Sequence, residues 1–266
     1  MDLRATFGFS TTPFTREIRV EDMACLSFLD DALAKVQKTV EKRMSAAIIA
    51  SAGEMKTGLL RRLHAALPEA RYRTRYVKVT DLSKRDMCRE IAAVCGLEPA
   101  GYYGALVRKL QERFESDCSE GLRPVLLLDE AQDLRPDVLA MLRVVTNFKM
   151  DSQLVLSVVL AGQPGLREML SRDDQEAVAR RIACYVSLRP LSVDETRQYV
   201  EHRCAIAGAK ACPFDEAAVQ AVYEITRGNA RTIDNLALEA LELSATAKLK
   251  VVSSAKVVEA KRSLWA

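Results

Sequence analysis

Residues 46–57 run Ala-Ala-Ile-Ile-Ala-Ser-Ala-Gly-Glu-Met-Lys-Thr. The apolar run at the start suits a strand buried on both faces of a parallel sheet. The loop after it ends in a Lys-Thr pair, and 57–67 (TGLLRRLHAAL) carries helical apolar spacing. Strand, short loop and helix N-terminus together cradle an anion, because loop N–H groups and the positive end of the helix dipole converge there. The spacing follows G-x-x-x-x-G-K-[ST], in which the Lys reaches terminal phosphates and the hydroxyl binds magnesium. Ala50 and Met55 stand where that pattern has glycine, whereas Gly53, Lys56 and Thr57 are kept. The expected phosphate cradle is Gly53, Glu54, Met55, Lys56, Thr57 and Gly58. A side chain at position 55 with positive φ costs on the order of 1–3 kcal/mol of strain. Met, unbranched and flexible, is among the less damaging choices there, so binding with slowed hydrolysis is expected.

A second run narrows the fold. Arg123-Pro-Val-Leu-Leu-Leu-Asp-Glu130 drives four consecutive apolar positions into two carboxylates. A buried strand ends in two acids only where they meet a cation or a reacting group, since unpaired burial of charge is costly. Asp129 is expected to hold the magnesium shell with Thr57, and Glu130 to polarise the attacking water.

Further apolar, β-rich runs fall at 72–79, 154–161 and 184–188, separated by helical patterns near 57–67, 86–95, 102–116, 135–147 and 174–182. Alternating strands and helices predict a parallel sheet with helices on both faces, with ligands at the carboxyl ends of the strands. Gly53, Asp129, Glu130 and Gln163 all fall at such ends. After Pro190 the texture changes. Ser192-Val-Asp-Glu195 is a capping box, and only helices follow, near 193–206, 215–227, 231–248 and 253–263. The expected organisation is an α/β core over 1–190 and a small all-helical domain over 191–266.

Composition bounds the setting. Apolar residues make up 49% and charged residues 28%, as in soluble globular chains. A net charge of +3 says nothing global about nucleic acid, so any basic surface must be local. Seven scattered cysteines with no C-x-x-C fit a reduced, cytoplasmic setting better than a disulfide frame. The two histidines have no ligand-like neighbours in sequence, so no site of metal ligands of that kind is expected. No signal-peptide pattern is seen at the N-terminus, and no apolar stretch reaches the roughly 18 residues of a membrane span.

Taken together, these features resemble the AAA+ ATPases, in which an α/β P-loop core is followed by a helical lid. Within that group the chain looks like the ExeA/TniB/TnsC/MuB assemblage of transposition-helper ATPases and their secretion relatives. Phe7-Gly-Phe9 with Pro13-Phe14, Leu128-Asp-Glu-Ala-Gln132 and Leu160-Ala-Gly-Gln-Pro164 resemble that assemblage's opening segment, acidic motif and strand end. The resemblance implies ATP and Mg2+ as cofactors. It implies that Gln163 takes the sensor-1 position near the terminal phosphate and Arg231, in Gly228-Asn-Ala-Arg231, the sensor-2 position. Arg180 and Arg181 are read either as an arginine finger for a neighbouring subunit or as an exposed helix end. A guanidinium suits the first role because it is planar and always ionised. Phe7, Phe9 and Phe14 are read either as a wall of the adenine pocket or as ordinary core packing.

The stretch from Arg71 to Arg89 holds seven basic residues and two acids. In rings or spirals of AAA+ subunits the loop at 80–85 tends to face the central channel, and related helper ATPases grip duplex DNA there. Thr80, Ser83, Lys84 and Arg85, with Lys149 as a second candidate, are the expected DNA contacts, of a sequence-independent and salt-sensitive kind. The competing reading makes Arg71, Arg73 and Arg75 the solvated face of an edge strand. The expected function is an ATP-dependent, sequence-nonspecific DNA-binding regulator. It forms a homo-oligomer, ring or filament, on duplex DNA and directs a transposase or target-selector partner. The alternatives are a secretion-associated ATPase of the ExeA type, disfavoured because those proteins continue into a membrane span and a cell-wall domain, and a nucleotide-binding scaffold with little turnover.

Overall fold

A computed structural model describes residues 3–265. Five strands form one parallel sheet: β1 (Ser45–Ile49), β2 (Tyr72–Lys78), β3 (Arg123–Asp129), β4 (Ser157–Gly162) and β5 (Ile182–Ser187). Twelve α-helices lie among the described residues: α1 (Leu3–Phe7), α2 (Ser27–Glu41), α3 (Lys56–Ala66), α4 (Lys84–Val94), α5 (Tyr103–Ser119), α6 (Pro136–Val145), α7 (Pro164–Leu170), α8 (Glu176–Ala179), α9 (Val193–Ile206), α10 (Glu216–Thr226), α11 (Ala230–Thr246) and α12 (Ser254–Trp265). The chain packs as two compact units. A sheet unit comprises Ser27–Ala52 and Lys56–Leu188; a helical unit comprises the chain up to Leu26, Gly53–Met55, and the chain from Arg189 on.

In the sheet unit the strand order is β2-β3-β4-β1-β5. Strands β1 and β4 are buried throughout, which is why they read as unbroken apolar runs. The register sets Ile49 beside Gly162, Asp129 beside Ala161 and Lys78 beside Asp129. The carboxyl ends of β1, β3 and β4 therefore finish level. Helices α4, α5 and α6 close one core under Leu126, Leu128, Leu160, Met87, Ile91, Leu110 and Phe114.

Three details differ from the sequence-based expectation. Helix α2 was not expected, although Leu29, Ala32, Val36 and Val40 make a buried stripe at helical spacing. The segment near 174–182 is a short 3-10 turn, four residues of α8 and then the start of β5. Arg75 does not belong to a solvated face. It is buried, its guanidinium 2.7 Å from the fully buried Asp117 and 5.7 Å from the Phe114 ring centroid. The edge strand β2 is covered there because α4 packs on it, and a buried cation survives only with such a partner.

In the helical unit the capping box forms as expected: Ser192 accepts from Glu195 N, and Glu195 accepts from Ser192 N. Asp215 and Asn229 cap α10 and α11 by accepting from Ala218 N and Thr232 N. Gly228, at φ 75°, follows the left-handed Arg227, and a Cβ there would lie 2.0 Å from Leu191 O. The N-terminal segment packs within this unit. Ala207 O accepts from Ser10 N and Thr11 N, and His202 Nε2 lies 2.7 Å from Asp22 O. The buried Arg203 donates to Thr15 O at 2.6 Å.

Candidate functional site

Within the sheet unit, the ends of β3 and β4 and the first turn of α3 bring a cluster of polar side chains together. Lys56, at the start of α3, is 7% exposed. Its ammonium lies 2.7 Å from Glu130 Oε2 and 3.5 Å from Asp129 Oδ1. Asp129 is 2% exposed, yet it is well supplied with donors. Thr57 Oγ1 donates to Oδ2 at 2.9 Å, Tyr76 OH donates to Oδ2 at 3.2 Å, and Glu130 N donates to Oδ1 at 2.9 Å. These bonds make a buried carboxylate tolerable. Burial, and after it the nearby Asp129 charge, pushes the Tyr76 phenol up to about 12.

Glu130 has a left-handed backbone, φ 56° and ψ 38°, as the chain leaves β3 for the 3-10 turn Ala131–Asp133. For a non-glycine residue this costs on the order of 1–3 kcal/mol and is found mostly at functional sites. Burial works to raise the Glu130 carboxyl, but hydrogen bonds from Lys56, Gln132 and Gln163 and the Lys56 charge hold it below the usual carboxylate range. Gln132 Nε2 donates to Glu130 Oε2 at 2.9 Å, and Gln132 Oε1 accepts from Gln163 N at 2.9 Å. Gly162 makes room for this: a Cβ there would lie 3.0 Å from Gln132 N and 2.8 Å from Leu166 Cδ2.

The cluster fits the groups expected of it. Two carboxylates face one ammonium in a largely buried setting, so a net negative charge is left for a cation to offset. Asp129 and Thr57 present hard oxygen donors of the type magnesium takes. Lys56 stands at the N-terminus of α3, where the helix dipole favours a phosphate.

Met55 has φ 60° and Gly53 φ 86°, so the condition for strain at position 55 is met. Both belong to the helical unit, where Gly53 O accepts from Arg231 N at 3.4 Å. A Cβ on Gly53 would lie 2.3 Å from Asn229 Oδ1. Arg231 opens α11 and is exposed. Phe14 is 4% exposed, edge-on to Phe214 at 6.1 Å and covered by the Arg203 guanidinium at 5.7 Å.

Arg180 is well exposed and pairs with Glu176 at 2.6 Å, while Arg181 pairs with Asp151 at 2.8 Å. The two arginines line one open cavity of about 740 Å3 with Arg143, Asn147 and Asp151. Among the expected DNA contacts, Thr80 is exposed, and Ser83 is the N-cap of α4. Lys84 lies 3.7 Å from Asp137, and Arg85 Nε donates to Gly101 O at 3.1 Å. Lys149, Met150 and Asp151 form a left-handed run at φ 47°, 56° and 65°. Tyr76 and Gln132 are site residues that the sequence did not single out. Gln132 was visible as the last residue of the acidic motif; Tyr76 required the β2–β3 register.

Residues 39–170 match the family described as AAA domain. Among solved structures, Cdc6p from Pyrobaculum aerophilum superposes with a TM-score of 0.73 at 16% identity, covering 94% of this chain and 70% of that one. The fold is that of the AAA+ P-loop NTPases. The ORC1 protein of Aeropyrum pernix in complex with DNA gives 0.71 at 18% identity, covering 96% and 70%. The RuvB Holliday junction branch migration motor of Thermotoga maritima gives 0.65 at 17%, covering 94% and 73%. At these identities the likeness is one of AAA+ architecture alone. General secretion pathway protein A of Aeromonas hydrophila is 29% identical over 242 residues, 88% of this chain. The chain spans 43% of that relative's length. The family match and this relative together support an AAA+ ATPase.

Proposed function

We propose that this chain binds ATP with Mg2+ and hydrolyses it slowly, and that nucleotide controls its assembly on duplex DNA. The observation that carries the reading is the Lys56–Glu130–Asp129–Thr57 cluster at the level strand ends. In it Lys56 serves the terminal phosphates, and Thr57 and Asp129 hold the metal. Glu130, kept ionised by its donors, polarises water. A bound magnesium ion supplies charge neutralisation at the phosphates. Met55, in the left-handed region, resists the close backbone approach that glycine permits, and this is the reason to expect slow turnover. Slow turnover suits a protein that must stay on DNA.

The finer reading is a sequence-nonspecific DNA-binding regulator that forms a ring or filament and directs a partner transposase. Its supports are the short motifs, the part-exposed Lys84 and exposed Arg85, and the likeness to a DNA-bound ORC1. A secretion-associated role is the second reading, favoured by the general secretion relative. ATP-dependent co-sedimentation with random-sequence duplex DNA separates the two. Co-sedimentation that needs ATP supports the first; no DNA binding even at low salt removes it and leaves the secretion reading.

A further inference from the structure

The Glu130 carboxylate is held by one charged group, Lys56, and by two neutral amides, Gln132 and Gln163. Oε2 of Glu130 accepts from Lys56 Nζ at 2.7 Å and from Gln132 Nε2 at 2.9 Å. In the function proposed above, Lys56 is shared with phosphate, so its ammonium alone does not fix where the carboxylate points. Gln132 is uncharged, and its other end is engaged. Gln132 Oε1 accepts from the backbone N of Gln163, the residue that follows β4 and precedes α7.

This arrangement has one orientation. A side-chain amide offers a donor end and an acceptor end. Turned over, Gln132 would set its NH2 against the Gln163 N–H and its carbonyl against the Glu130 carboxylate, donor facing donor and acceptor facing acceptor. The backbone is shaped to this contact at both ends. Glu130 takes a left-handed conformation at φ 56°, and the Gly162 Cα approaches Gln132 so closely that a Cβ would sit 3.0 Å from Gln132 N. We infer that Gln132 is a positioning residue for Glu130: it fixes the carboxylate relative to the end of β4 when Lys56 is engaged elsewhere. The inference rests on the reading of Glu130 as the residue that polarises water.

The test is single-turnover ATP hydrolysis by the full chain, with nucleotide affinity measured by a fluorescent ATP analogue. Gln132→Leu removes both hydrogen bonds at similar size, and Gln132→Glu keeps the shape but sets a carboxylate against Glu130. Both variants are expected to lower the hydrolysis rate on the order of tenfold or more, with affinity within about twofold of the parent. A lowered rate with affinity retained is a split that a merely structural role does not produce. Should one variant fail to bind the analogue, the other carries the test. Unchanged rates in both variants overturn the inference. Glu130→Gln, measured in parallel, keeps the two readings apart. If it turns over like the parent, the role of Glu130 itself fails. If it is dead while the Gln132 variants behave as the parent, only the positioning role fails.

Discussion

The Lys56 ammonium sits 2.7 Å from the Glu130 carboxylate, and Glu130 meets it from a left-handed turn at the end of β3. The ion pair keeps both charges satisfied in the same small volume. In the function proposed above, phosphate would compete with Glu130 for the Lys56 ammonium.

Met55→Gly is expected to raise the rate of ATP hydrolysis, severalfold, because glycine adopts φ near 60° without the strain a side chain brings, about 1–3 kcal/mol. The same change is expected to raise the melting temperature slightly or leave it unchanged, since relief of strain is offset by the greater freedom of glycine in the unfolded chain. Equal turnover in the two forms removes the link between this residue and slow hydrolysis.

Lys84→Ala combined with Arg85→Ala is expected to weaken duplex binding about equally for all sequences. It should also reduce the slope of log affinity against log salt by about 2, one for each phosphate that is no longer neutralised. Filter binding across a salt series reads both quantities, and an unchanged slope places the DNA-binding surface elsewhere.

The helical unit carries its own pH dependence. Burial pushes the Asp234 carboxyl up to about 6, against the lowering pull of Arg203 and a hydrogen bond from Tyr199. A carboxyl raised on folding binds its proton more tightly in the folded chain than in the unfolded one. Its contribution therefore grows as pH falls from about 6 toward its ordinary value of 3.8, and above 6 it opposes folding. Asp234→Asn is expected to flatten this part of the stability–pH curve. Denaturant unfolding between about pH 4.5 and 7.5, a window that brackets the raised value, checks it with a probe in α9 or α11.

Gly228→Ala is expected to destabilise the helical unit strongly. The left-handed φ of 75° costs an alanine about 1–3 kcal/mol, and the new Cβ would stand 2.0 Å from the Leu191 carbonyl oxygen, so backbone must move as well. Thermal melting of the variant gives the answer. An unchanged melting temperature would mean that the turn between α10 and α11 relaxes freely.

Much of the fold was legible in the residues. The unbroken apolar runs of β1, β3 and β4 suit only strands buried on both faces, and Ser192 with Glu195 marked the start of α9 to the residue. Helix α2 was legible too, through Leu29, Ala32, Val36 and Val40, but it carries no motif to draw attention to its spacing. Arg75 was the opposite case. Alternating arginines on a strand describe a wet face unless a distant residue neutralises one of them, and Asp117 lies on α5, far along the chain. Tyr76 was hidden for the same reason: its bond to Asp129 follows from which strands are neighbours.

The sequence by itself determined which polar side chains the strand ends offer, a Lys-Thr pair after one buried strand and an Asp-Glu pair after another. It also determined the alternation of strand and helix, through periodicity alone. Tertiary structure decided which charges are paired and how. The strand order β2-β3-β4-β1-β5 sets β3 next to β4, so that Gln132 can join Glu130 to Gln163. It also decided which glycines are needed for space: Gly162 for Gln132, Gly53 for Asn229 and Gly228 for Leu191. Local propensities act over a few residues, whereas hydrogen bonds and close approaches of this kind join positions that only the packed chain brings within a few ångströms.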